Sequence, residues 1–199
     1  FLTVPEIFQY SSNIGTAKMA LAVGQEEQQA YLKKFGLSTR LKTDLPEVAT
    51  PQVPKRWSQA TQLTVSFGHG IAITPMQAAV ADAALVNGGH LLSPTFFPRT
   101  QEAALADSTQ MVSKKTSDEM RWLFRFNAVK GSGRNADVPG YVVGGKTGTA
   151  EKIANGRYVE GHYLNSFLSA FPMDDPEYVM LISIDDPKPE KPGLLALAY

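Results

Sequence analysis

Lys146-Thr147-Gly148-Thr149-Ala150 and, far upstream, Ser11-Ser12-Asn13 are the two runs of this 199-residue chain best equipped for chemistry. Read as a strand, the first run sends alternate side chains to alternate faces, so Lys146 can project into a cleft at a sheet edge. Gly148 has no Cβ and lets another backbone lie close, while edge amides can pair with it. A lysine beside threonine hydroxyls suits a carboxylate or a developing oxyanion. The same five residues also suit an ordinary surface strand. In the second run a hydroxyl and an amide stand just before a helix, able to reach a shared cleft from a loop. They equally suit a helix N-cap cluster.

A competing pattern overlaps the first run. Gly140-Tyr141-Val142-Val143-Gly144-Gly145-Lys146-Thr147 satisfies G-x-x-x-x-G-K-[ST], the phosphate-cradling P-loop. Residues 179–185 form an apolar run ending in Asp185, as a magnesium-holding strand would, so a P-loop nucleotide hydrolase is an alternative. That reading needs a helix beginning at Lys146-Thr147, with its amides aimed at phosphate. Instead Gly148 follows, and then Asn155-Gly156, a tight-hairpin signal between Thr149-Ala150-Glu151-Lys152-Ile153 and Tyr158-Val159. A hairpin supplies an antiparallel partner where the P-loop fold needs a crossover. The strand reading is favoured.

The elements that must position these residues follow from pattern. Residues 14–24 and 25–35 read as helices ended by Gly24 and Gly36. A loop with three prolines runs over residues 43–57. Thr74-Pro75 opens an Ala-rich helix to Val86, and Thr116 with Glu119 forms a capping box before a helix over 120–129. Residues 141–149, 164–171 and 178–184 read as strands of an antiparallel sheet with helices against it, an α+β layout.

Composition narrows the function. At 43% hydrophobic residues the chain can bury one sizeable core. Nineteen basic and nineteen acidic residues cancel, which favours neither nucleic acid nor an anionic membrane. There are no cysteines, and His69, His90 and His162 lack metal-ligand spacing, so neither metal nor cofactor is expected. No apolar run approaches the roughly 20 residues that span a bilayer. The chain opens on Phe1-Leu2-Thr3-Val4, without Met or signal peptide, which reads as a segment of something longer.

Ser11-x-Asn13 followed at long range by Lys146-Thr147-Gly148 resembles the penicillin-binding proteins and β-lactamases. Phe67-Gly68-His69-Gly70-Ile71-Ala72-Ile73-Thr74-Pro75-Met76-Gln77 resembles the segment that class B penicillin-binding proteins carry between those motifs. Residues 143–152 are closer to the division-specific branch than to the elongation branch. The resemblance covers residues 1–186 as the C-terminal part of a transpeptidase domain, with 187–199 left as a Pro-rich, extended tail. It implies the β-lactamase/transpeptidase-like fold and acyl transfer from the D-Ala-D-Ala end of a peptidoglycan stem peptide, with β-lactams as mimics of that end. Ser11 would relay a proton to the leaving group, with Lys146 holding it and supplying positive potential. Asn13 would bind the amide of substrate or antibiotic. Thr147 and Thr149 would contact the carboxylate, with Gly148 between them giving room and the Thr149 N–H forming half of an oxyanion hole. A serine β-lactamase or β-lactam sensor is the alternative within this fold, and residues 67–77 argue against it. The resemblance also implies divisome membrane proteins as partners, and the periplasmic face of the bacterial inner membrane as location.

Two departures stand out. No serine has a lysine three residues on, so the S-x-x-K nucleophile and its helix are missing and the segment alone is expected to be inactive. Without the family's N-terminal strands, the 178–184 strand would form an unpaired apolar edge through which the segment could self-associate.

Overall fold

A computed structural model describes residues 1–154 and 157–188. Thr3 opens α1 (Val4–Gln9) with a capping box to Glu6 and Pro5 in the first turn. Ser12 caps α2 (Asn13–Val23), and Gly24, at φ 91°, ends it while starting α3 (Gln25–Lys34). Then follow α4 (Gln59–Val65) and α5 (Pro75–Val86), the latter with the Thr74–Gln77 capping box. A two-stranded antiparallel pair, β1 (His90–Leu91) and β2 (Thr109–Gln110), flanks α6 (Gln101–Ala106). The long α7 (Lys114–Lys130) leads through residues 131–143 into a three-stranded antiparallel sheet. Its strands are β3 (Gly144–Ala154), β4 (Arg157–Phe171) and β5 (Tyr178–Asp185), in that order. This is the α+β arrangement expected.

Three details differ from expectation. The cap of α7 is Ser113, whose Oγ accepts the Thr116 N–H at 3.1 Å, so the helix begins at Lys114 and Thr116 lies inside its first turn. Ser113 is as good a cap as Thr116, and the earlier start gains a Lys114–Asp118 pair one turn on. The three-stranded sheet begins at Gly144 instead of Tyr141, because Val142 sits at φ 48° and breaks the extended run. Helices α1, α4 and α6 and the short pair β1–β2 lie in stretches that gave no helical or strand pattern. The Asn155-Gly156 turn lies outside the described residues, but the strands on either side pair antiparallel down to Ala154 and Arg157. Beyond Lys188 the expected tail also lies outside them.

The core forms where α5 and α7 meet the sheet. Val86, Phe124, Ala170 and Met173 are buried together, with Phe8, Leu85, Met120, Val142 and Val179 packed around them. Burying Val86 and Phe124 contributes about 1.5–3 kcal/mol each relative to exposure. Phe8 meets Phe124 edge-on with ring centroids 5.5 Å apart, which fixes α1 to α7. Gln9 Nε2 donates to the Lys130 carbonyl at 2.8 Å, fixing the end of α1 to the end of α7. Gln62, only 5% exposed, donates to the Ala20 carbonyl at 2.7 Å and ties α4 to α2. Arg125 holds the link into β3, donating to Asp137 at 2.6 Å and to the Val143 carbonyl at 2.8 Å.

Candidate active site

The turn between α1 and α2 divides three polar residues among different tasks. Ser12 spends its side chain on the helix, accepting the Gly15 N–H at 3.1 Å. Asn13 is the first residue of α2, exposed beside the cavity described below. Ser11 is held at φ 52° in the left-handed region, at a cost of about 1–2 kcal/mol for a residue with a Cβ. Backbone bonds from Ser11 N–H to the Phe8 carbonyl and from Ser12 N–H to the Ile7 carbonyl keep the turn closed. The N-cap reading of the triplet is therefore right for Ser12 alone. Its neighbours are left for other work.

Strand β3 supplies the opposite group. Lys146 Nζ donates to Ser11 Oγ at 2.5 Å, joining two residues 135 positions apart, and also to the Thr147 carbonyl at 3.0 Å. Burial pushes the Lys146 ammonium below the ordinary lysine value. Thr147 Oγ1 donates to Ser132 Oγ at 2.7 Å. The strand begins at Gly144 with no helix at Lys146, so the magnesium-nucleotide reading has no structural support here.

The glycines of β3 separate architecture from function. A Cβ on Gly144 would collide with Met173, and one on Gly145 would lie 2.5 Å from the Leu168 carbonyl oxygen, so packing requires both. A Cβ on Gly148 would meet nothing within 4 Å, and Gly148 has no left-handed φ. Nothing in the fold demands glycine there, which leaves room for a ligand as its use.

These residues line a cavity of about 820 Å³. Ser11, Asn13, Lys146, Thr147, Gly148 and Thr149 all contribute, so the structure gathers every site residue anticipated from sequence. Phe67, from the segment between the two motifs, joins them at the end of α4. Lys130 and Arg134 line the cavity as well, whereas no aspartate or glutamate does, so the described wall is cationic. Such a wall suits an anionic ligand. Ser132, Lys130 and Arg134 escaped the sequence reading. Their only signal was Gly131-Ser132-Gly133, a small-residue run at the end of an amphipathic helix. Among the described residues no cluster of three or more potential metal ligands occurs.

The chain resembles known proteins along nearly its whole length. It is 41% identical over 196 residues to the probable peptidoglycan D,D-transpeptidase FtsI of Caulobacter vibrioides, covering 94% of this chain and 33% of that protein. The chain thus spans about a third of the length of the curated relatives it matches. The transpeptidase domain of Burkholderia pseudomallei penicillin-binding protein 3 superposes with a TM-score of 0.87 at 34% identity, covering 94% of this chain and 57% of that one. Penicillin-binding protein 3 of Mycobacterium tuberculosis, solved in complex with aztreonam, superposes with a TM-score of 0.82 at 32% identity, covering 93% and 45%. The family model of the penicillin binding protein transpeptidase domain matches residues 1–197. With the S-x-N and K-T-G groups in contact across one cavity, and that match on either side of them, the chain belongs to the penicillin binding protein transpeptidase domain family.

Proposed function

We propose that this chain is the substrate-holding part of a serine-type peptidoglycan D,D-transpeptidase, working at the periplasmic face of the bacterial inner membrane in cell division. The 2.5 Å contact between Lys146 Nζ and Ser11 Oγ carries the reading, because it builds one proton-handling pair from the two separated motifs. In the reaction a serine outside these 199 residues attacks the carbonyl of the penultimate D-Ala and forms an ester. The C–N bond breaks, and the departing D-Ala amine takes a proton delivered through Ser11, whose own O–H is available because Lys146 donates to its oxygen. An amine of a neighbouring strand then attacks the ester, restoring the serine and forming the cross-link. Thr147 and Thr149 receive the substrate carboxylate, Asn13 the preceding amide, and the Thr149 N–H part of the oxyanion charge. A β-lactam, read as the D-Ala-D-Ala end, would stop at the ester stage. The aztreonam complex of the M. tuberculosis relative supports this part of the reading. Divisome membrane proteins are the partners the reading implies for the full-length protein.

The experiment is covalent labelling by a fluorescent penicillin. The full-length protein carrying this segment is expected to label, and the 199-residue segment alone is not, since no serine in it has the lysine partner. Labelling of the segment that denaturation abolishes would sink the division of labour. Failure of the full-length protein to label would sink the function.

A further inference from the structure

Behind Thr147 lies a chain of polar side chains with no role in the reaction as written above. Thr147 Oγ1 donates to Ser132 Oγ at 2.7 Å, and Ser132 Oγ donates onward to Asn127 Oδ1 at 3.5 Å. Asn127, on α7, has no solvent exposure, and its Nδ2 donates to the carbonyl of Gly145 at 2.7 Å. Its backbone carbonyl accepts from the N–H groups of Gly131 (2.9 Å) and Gly133 (3.3 Å), either side of Ser132. A Cβ at Gly131 would strike the Asn127 amide, and one at Gly133 would lie 3.2 Å from its Nδ2. The Gly-Ser-Gly run is therefore wrapped around one buried amide, which also grips the start of β3. Such enclosure fixes Ser132 Oγ against Thr147.

The direction of the chain matters. As it stands, Thr147 donates inward and turns lone pairs to the cavity, which would repel a carboxylate. A hydroxyl rotates freely, and Ser132 can either accept from Thr147 or donate to it. The outer link to Asn127 is long and weak, so it yields readily. Resting on the transpeptidase reading, we infer that Ser132, held by Asn127, is a positioning residue that reverses its hydrogen bond when substrate arrives, donating to Thr147 Oγ1 so that the Thr147 proton turns to the substrate carboxylate. Donation from behind also polarises the Thr147 hydroxyl and strengthens the bond it makes in front. The same pair selects ligands: it favours those with a free carboxylate over those without.

The test uses the full-length protein and two acylating agents, a penicillin and its methyl ester, with second-order acylation rates read for each. Labelling of the unaltered protein by the free acid is the control for the transpeptidase reading itself, so its failure is distinguishable from failure here. Ser132→Ala is expected to slow the free acid ~3- to 10-fold more than the ester, the span of one ordinary hydrogen bond. Ser132→Thr should restore the difference, which a purely structural role would not require. In a Thr147→Val background Ser132→Ala should add nothing, because the two act as one unit. Asn127→Leu, if it folds, should show the same selective loss, and the Ser132 arm stands without it. Equal slowing of acid and ester would overturn the proposal. So would a faster free acid, which would make Ser132 a competitor for the Thr147 proton, or an undiminished Ser132→Ala effect without the Thr147 hydroxyl, which would place Ser132 on the ligand.

Discussion

The two outer strands of the three-stranded sheet are built to opposite rules. Strand β3 borders the cavity with lysine, threonine and glycine, and its Lys146 and Thr147 side chains are engaged by groups from distant elements. Strand β5 alternates Tyr178, Met180, Ile182 and Ile184, each between 42% and 59% exposed, and β4 is its only strand partner among the described residues. Polar groups gather where a ligand must be oriented, since hydrogen bonds carry direction. Apolar groups left bare mark a surface suited to being covered by protein, since burial of hydrocarbon is favourable but directionless. The sheet therefore has a chemical side and an adhesive side.

The helix packed against β4 and β5 carries a buried carboxyl, which gives the largest effect with which to probe that side of the molecule. Asp82 lies on α5, the helix that packs against β4 and β5, and is 3% exposed. Burial pushes its carboxyl from the ordinary 3.8 up to about 7. Between those values the folded protein keeps a proton that the unfolded chain releases, so the contribution of Asp82 to stability is greatest at low pH and is lost as pH rises through about 7. Asp82→Asn is expected to gain about 2–4 kcal/mol relative to the unaltered protein at pH 8, shrinking towards zero near pH 4. Denaturant unfolding of the full-length protein at both pH values checks this, and a gain independent of pH would mean the carboxyl is not buried as described.

A smaller effect separates structure from use on the chemical side. Gly145→Ala is expected to destabilise by about 1–3 kcal/mol, because its methyl group has no space against the Leu168 carbonyl. Gly148→Ala, three positions on, should move stability by no more than about 0.5 kcal/mol while slowing penicillin acylation. Should Gly148→Ala unfold the protein and spare acylation, the division between packing and ligand glycines would be wrong. Smallest of all, Ile182→Lys should change stability within about 0.5 kcal/mol, as exposed substitutions do. We propose that the 199-residue chain self-associates through β5. Ile182→Lys should then abolish that association in sedimentation, and a monomer before the substitution would count against the adhesive reading.

How much of this was legible in the sequence depends on whether a feature is local. Thr74 with Pro75 and Gly24 at the end of α2 announce helix boundaries through preferences that act within a few residues, and those boundaries hold. Hydroxyl caps at Ser58 and Thr100 open α4 and α6 by the same device, but a helix of six or seven residues is too short to show the apolar stripe that would reveal it. Thr116 failed as a cap because Ser113, three residues earlier, was an equal candidate and sequence could not rank them. The site was legible through its motif residues and dark elsewhere. Ser132 and Asn127 act through contacts with residues 15 and 18 positions away, and no spacing rule reaches that far.

The middle serine of the S-x-N triplet sets the phase of the site. By taking the Gly15 amide, Ser12 decides at which residue α2 starts, and each residue of a helix points about 100° away from the last. Were the start to slip back by one, Ser11 would be drawn into capping and would turn its oxygen from Lys146, while Asn13 would swing a quarter-turn or more out of the cavity. The position between the two working residues thus behaves as a timing mark. It accepts serine, threonine, aspartate or asparagine, any side chain able to hold the amide, and loses its purpose with alanine. A residue that touches no substrate would fix the alignment of the two that do.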